Sequence, residues 1–170
     1  ILIGRKGTKT GFYPQFSPLI HDNLVNEIFS GLPKLNAGEG NYNVTSYTSK
    51  KSKFLLSTSI QNGINFTTQH ISRPQNDQDK EIYKIAVKKW TENNERLNYN
   101  DLPSHLKTHK NRTSFSDRFK VVASEHNASH TVVAHIAKDG HYYIHPDLNQ
   151  NRSLTPREAA RLQSFPDDFF

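Results

Sequence analysis

The last twenty residues, NRSLTPREAARLQSFPDDFF (151–170), constrain the fold of this 170-residue chain more tightly than any other stretch. Thr155 is a good helix N-cap, and Pro156 follows at the first helical position, where its missing N–H costs nothing. Glu158 stands three residues after Thr155, the spacing of a capping box in which each side chain takes the other's free backbone donor. Leu154 and Ala159 occupy the positions of a hydrophobic staple. Phe165 precedes Pro166 and is pushed out of the α region, so the helix ends near Ser164. So short a helix is marginal alone and must dock, with Leu162 and Phe165 as the expected anchors. Arg152 and Arg157 flank its start, where the dipole attracts anions. Two readings stay open on spacing alone: a well-capped surface helix with solvated arginines, or a helix that holds a phosphate-contacting surface.

Charge favours an anionic partner. Lys+Arg is 22 against 16 for Asp+Glu, a formal charge of +6, and nucleic acid is the leading candidate. The cations cluster: Arg5, Lys6 and Lys9; then Lys50, Lys51 and Lys53; then Lys107, Lys110, Arg112, Arg118 and Lys120, diluted by Asp117. Hydrophobic residues are only 34%, so 10 Phe, 7 Tyr and one Trp must supply much of the buried area. No apolar run is long enough for a membrane helix, and the opening ILIGRKG is too short for a signal peptide. Cysteine is absent, which removes disulfides, thiolate ligands and a cysteine nucleophile; methionine is absent too, as expected of an excerpt or a processed piece.

Along the chain, ILIG reads as the tail of a buried strand. Ser17 and Pro18 open a helix through Ile20, Leu24, Ile28 and Phe29, stopped by Gly31 and Pro33. The strongest helix runs from about Asp79 to Leu97, capped by Asn76 or Asp77. Ile82, Ala86 and Trp90 recur every four residues, Tyr83 and Val87 widen the stripe, and Trp90 reads as core. Asp101 to Lys107 suggests a short helix and DRFKVV a strand. TVVAHIAK, Asp139-Gly140 and HYYIH read as a β-hairpin with a type I′ turn. The predicted class is α+β: a small mixed lobe with that C-terminal hairpin, one long amphipathic helix and a short capped terminal helix.

Nine histidines invite a metal site. The expected hairpin register, pairing Ile136 with Tyr143 and Ala134 with His145, puts His135 and His145 on opposite faces and His141 roughly 13 Å from His145. His105 and His109 have helical ligand spacing but lack the glutamate of HExxH. No metal site is expected. There is no G-x-S-x-G and no P-loop, the FPDD carboxylates diverge, and GEG at 38–40 is too weak a glycine signal to place a nucleotide. No self-contained active site is visible.

RSLTPREAARLQSFPDDF, from Arg152 to Phe169, resembles the ninth conserved motif of the DNA cytosine-5 methyltransferases at nearly every position. The preceding HTVVAHIAKDGHYYIHPD is similar to the stretch leading into that motif, including a Thr-Val pair, Thr131-Val132, of the kind found in the family's target recognition domains. ILIGRKG resembles the strand after the eighth motif. The resemblance implies three parts: residues 1–7 as the end of a catalytic-lobe strand, 8–150 as target recognition domain, and 151–170 as a ninth-motif helix bracing it. Only the ends carry the likeness; residues of about 10 to 115 are placed by position between them.

The family's Pro-Cys nucleophile, its glycine-rich S-adenosylmethionine motif, its Glu-Asn-Val motif and its tenth motif have no counterpart here. The resemblance therefore implies a chain with no catalytic residue and no bound cofactor of its own, inactive alone. S-adenosylmethionine belongs to the complete enzyme, of restriction-modification type. The implied partners are double-stranded DNA and a catalytic lobe or subunit, with no membrane and a cytoplasmic location, nucleoid-associated if prokaryotic. By resemblance Thr131 contacts the DNA backbone near a flipped nucleotide. Arg118, Lys120 and Lys138 are phosphate candidates because they lie on or beside strands near the motif. Arg152 is carried both as a DNA contact and, with Thr155, Arg157 and Glu158, as a brace against the catalytic lobe. The alternative is a stand-alone DNA-binding or interaction module without an enzymatic partner.

Overall fold

In the computed structural model, residues 6–7, 15, 17, 25–48, 52–138 and 140–169 are described. The chain is a small mixed α+β lobe with short elements. The expected strand at ILIG and most of the expected helix from Ser17 lie outside the described residues. Its described end, Val25–Phe29, is a 3-10 helix, followed by Gly31 at φ 78°.

Two small antiparallel pairs frame one side. Strand β1 (Gly40–Asn41) pairs with β4 (His70–Ile71), and β2 (Thr45–Ser46) with β3 (Phe66–Thr67). Position 40 demands glycine: φ is +93°, and a Cβ there would lie 2.2 Å from the His70 carbonyl oxygen. Helix α1 (Lys53–Ser57) buries Leu55 with Ile28 and Ile60.

Helix α2 (Asp77–Asn93) forms where periodicity places it. The Asn76 side chain accepts the Asp79 N–H at 2.7 Å, Asp77 and Asp79 suit the positive end of the dipole, and Asn94 closes the helix at φ 54°. Ile82, Tyr83, Ala86 and Val87 are buried against Leu97, Tyr99, Leu102, Leu106, Phe119 and Ile144, the largest core. Trp90, expected in the core, sits half-buried at its edge, its indole N–H on Glu125 at 2.6 Å and its ring against His126. The helix predicted over 101–107 is two 3-10 turns, Tyr99–Asp101 and Ser104–Leu106.

The hairpin needs correction. Ala134–Ala137 is a 3-10 helix, and Asp139 lies outside the described residues. Ile144 instead bridges Val121 in parallel and Ser153 antiparallel. The backbone bonds Val122 N–H to Ile144 O and Leu154 N–H to Tyr143 O, at 3.0 and 2.9 Å, carry this irregular ribbon. Thus DRFKVV contributes one bridge and no regular strand. The reason lies in packing: Val132 and Ile136, four apart, both rest on the core of Val25, Val122, Tyr143 and Leu154. These tertiary contacts form with the chain wound into a turn, and they override the β-rich composition. The expected pairing of 134–136 with 143–145 is absent, and with it the register used for the histidines. Gly140 keeps a positive φ of 73° and is pressed on Ser153, where a Cβ would approach within 2.7 Å.

Helix α3 (Pro156–Leu162) closes the fold, with its capping box formed. Leu162 packs on two cores, whereas Phe165, the other expected anchor, is 38% exposed. No helix among the described residues is long and apolar enough to cross a membrane.

Candidate nucleic-acid interface

The local chemistry of the chain end builds a buried framework first. Thr155 Oγ1 accepts the Glu158 N–H at 3.1 Å, and the Glu158 carboxylate accepts the Thr155 N–H at 2.8 Å. The same carboxylate receives Arg152 through both Nη1 and Nη2, each at 2.7 Å. The other Arg152 donors reach Leu35 O, Ser153 O and Gln150 Oε1 at 3.1, 3.0 and 2.7 Å. A guanidinium has five N–H groups, and all five here have protein acceptors. Arg152, carried from the sequence both as a DNA contact and as a brace, is fully buried and turned inward.

His70 completes this corner. Its Nε2 faces the Pro33 carbonyl at 2.8 Å, which only accepts, so Nδ1 takes the Thr155 hydroxyl proton at 3.1 Å. Arg157 clamps the chain on both sides, donating to Thr68 O at 3.0 Å, Pro166 O at 3.0 Å and Phe169 O at 2.8 Å. Arg161 donates in a fork to Asp167 at 2.9 and 2.7 Å and to the carbonyls of Ile28 and Ser30 at 2.7 and 2.9 Å. Tyr47 adds a short hydroxyl bond to the same Asp167 carboxylate. Arg152, Arg157 and Arg161 are the three largest fully buried side chains among the described residues. Arg161, Asp167 and His70 were missed in the sequence. The available signal was that Arg157 and Arg161 stand four apart and share a helix face.

Electrostatics fit this inward role. Burial works to raise the Glu158 pKa, but the Arg152 charge and hydrogen bonds overcome it and hold it at about 2. Burial pushes His145 down to about 4, although Glu158 lies 3.7 Å away. Its Nδ1 accepts the Asp147 N–H at 3.1 Å, which leaves the proton of the neutral ring on Nε2, facing Glu158.

A second arrangement faces outward. Arg118, Lys120, His130, Thr131, Val133, Tyr142 and Tyr143 line an open cleft of about 400 Å³. The ribbon puts Lys120 and Tyr142 side by side, since Lys120 N–H bonds His141 O at 2.9 Å. The Tyr142 ring lies 5.0 Å from the Arg118 guanidinium carbon and 4.8 Å from Lys120 Nζ, within cation–π range. Lys120 also pairs with Asp117 at 2.8 Å, which holds that carboxyl below its ordinary value. Thr131 is exposed, and its carbonyl is fixed by the Tyr143 hydroxyl at 3.2 Å. Among the described residues, no carboxylate lines the cleft. Three of the DNA candidates, Arg118, Lys120 and Thr131, are thus brought together. Lys138 is exposed just past the Ala134–Ala137 turn and does not line this cleft.

The lobe thus joins an inward arginine framework to an outward cationic cleft. Residues 20–170 match the family described as C-5 cytosine-specific DNA methylase. The chain belongs to that family. It is 42% identical to the type II methyltransferase M.Bpa9945I of Bacillus paralicheniformis, over 99% of this chain and 39% of that protein. It is 28% identical to the putative type II methyltransferase M.OihORF3336P of Oceanobacillus iheyensis, over 92% of this chain and 33% of that one. A stretch covering 24% of the chain is 54% identical to M.AgeI of Thalassovita gelatinovora. The chain therefore spans between a third and two fifths of the length of its two long-range relatives.

Proposed function

We propose that this chain is the DNA target-recognition part of a cytosine-5 DNA methyltransferase of the restriction-modification type. The observation that carries the proposal is the cleft in which Arg118, Lys120 and Thr131 converge. Its cations suit phosphates, and Thr131 contacts the backbone beside the target nucleotide. Lys138 extends the basic surface past the turn. Arg152, Thr155, Arg157 and Glu158 brace the lobe, and Arg152 serves as a brace alone because its donors are spent inside.

Methylation at carbon 5 of cytosine needs a nucleophile on carbon 6 and a base swung out of the duplex. The 170 residues contain no cysteine and no glycine-rich cofactor motif. The thiolate and the S-adenosylmethionine site fall to the rest of the enzyme or to a partner subunit. This chain's part is to grip the duplex, in a soluble cytoplasmic protein. The test is the complete enzyme carrying Arg118→Ala and Lys120→Ala. Its KM for duplex DNA should rise at least several-fold while its KM for S-adenosylmethionine stays put. An unchanged KM for DNA would contradict the reading.

A further inference from the structure

A second concavity lies apart from the one at Thr131. It is an open groove of about 600 Å³ between helix α2 and the 148–151 turn, lined by Lys80, Lys84 and Lys88 on one wall and by Asn36, Asn149 and Asn151 among the other residues. The three lysines fall four apart, opposite the face that buries Ile82, Tyr83, Ala86 and Val87. The helix repeat therefore sets them about 6 Å apart along one stripe of about 12 Å. Among the described residues, no carboxylate lines the groove. Asp77 holds Lys80 at 2.9 Å, Asp147 holds Lys34 at 3.0 Å, and Glu39 accepts from Asn36. Among the described residues, Lys84 and Lys88 have no ion-pair partner. This groove shares no lining residue with the Thr131 cleft.

Lys84 and Lys88, one turn apart on the helix, repel weakly as like charges, while Lys80 is already paired with Asp77. An extended polyanion with regular charges relieves that repulsion. One DNA strand carries a charge about every 3.4 Å of axis, so a 12 Å stripe meets about three or four phosphates. Lysine supplies point charges and no bidentate fork, which suits sequence-independent contact and not base reading. The asparagine side chains add neutral donors.

We infer that Lys80, Lys84 and Lys88 form a second DNA contact, which tracks the phosphodiester backbone of duplex outside the target sequence and is separate from the recognition cleft. This rests on the recognition reading above. The cleft discriminates; the groove adds affinity that is the same for every sequence.

The test uses the full chain and a panel of unrelated duplexes, with fluorescence anisotropy at several salt concentrations. Changing Lys80→Gln, Lys84→Gln and Lys88→Gln together should weaken binding by the same factor for every duplex. It should also reduce the log–log salt slope by about 2 to 3, near 0.9 per phosphate lost. Replacing the same lysines by arginine should restore the slope. Unchanged affinity and slope in the glutamine variant, with unchanged helical circular dichroism, would overturn the inference and leave the recognition reading standing. A parent chain that binds no duplex at any salt would overturn both. A glutamine variant that loses preference among duplexes at constant slope would also overturn the inference, since it would make the groove a reader of sequence.

Discussion

Glu158 is the residue on which the framework turns. It caps α3, neutralises Arg152 and lies beside His145, all in the fully buried interior. A buried ion pair does not stabilise merely by existing, because desolvation offsets the attraction; removing one partner leaves a stranded charge and is costly. Glu158→Gln should therefore cost about 3 kcal/mol or more, read as a fall in urea midpoint. The pH dependence has two limbs. His145 falls from an ordinary 6.5 to about 4 in the folded state. The unfolded chain binds more protons between those values, so stability is full above 6.5 and declines as pH drops towards 4. Full expression of that shift is on the order of 3 kcal/mol, and His70 and His130 act in the same direction. Glu158, depressed from 4.5 to about 2, adds a second decline as pH falls through that lower window. Urea titrations from pH 7.5 to 3 should show the upper limb, and His145→Gln should flatten most of it. A parent protein equally stable at pH 7 and pH 4.5 would contradict this.

At the scale of elements, α3 depends on a single hydroxyl. Thr155 caps the helix and also donates to His70. Thr155→Ala should cost about 1–2 kcal/mol through the cap, with a further loss because His70 Nδ1 is left buried without its donor. Thermal unfolding of Thr155→Ser beside Thr155→Ala checks this, the serine retaining most of the stability. Equal stability of Thr155→Ala and the parent would mean that the cap contributes nothing. Both α2 and α3 were legible in the sequence, because caps, proline placement and a four-residue apolar stripe act within one or two turns. Ala134–Ala137 was not. Its β-rich composition pointed to a strand, and the outcome was decided by Val132 and Ile136 meeting a core assembled from positions as distant as Val25 and Leu154. The candidate interface divided in the same way. The Thr-Val pair and the nearby cations could be read from the chain, and three of them converge. The inward turn of Arg152 could not be read, since it needs the Leu35 carbonyl, which is 117 residues away.

For the whole molecule, the two faces of the charge distribution separate. Arginines at the chain end are consumed by carboxylates and carbonyls inside, where they fix loops 28–35, 68 and 166–169 around α3. Five of the outward cations, Lys80, Lys84, Lys88, Arg118 and Lys120, line two concavities of the surface. The two long relatives are between two and three times as long as this chain, and holding duplex DNA is the share of the work proposed for this lobe. The most direct measurement is the affinity of the full chain for duplex DNA between about 50 and 200 mM salt, the range over which phosphate-dominated binding falls steeply. The logarithm of the association constant should fall linearly with the logarithm of salt concentration. A flat dependence, or no binding at the lowest salt, would contradict the claim that this lobe holds DNA by its phosphates.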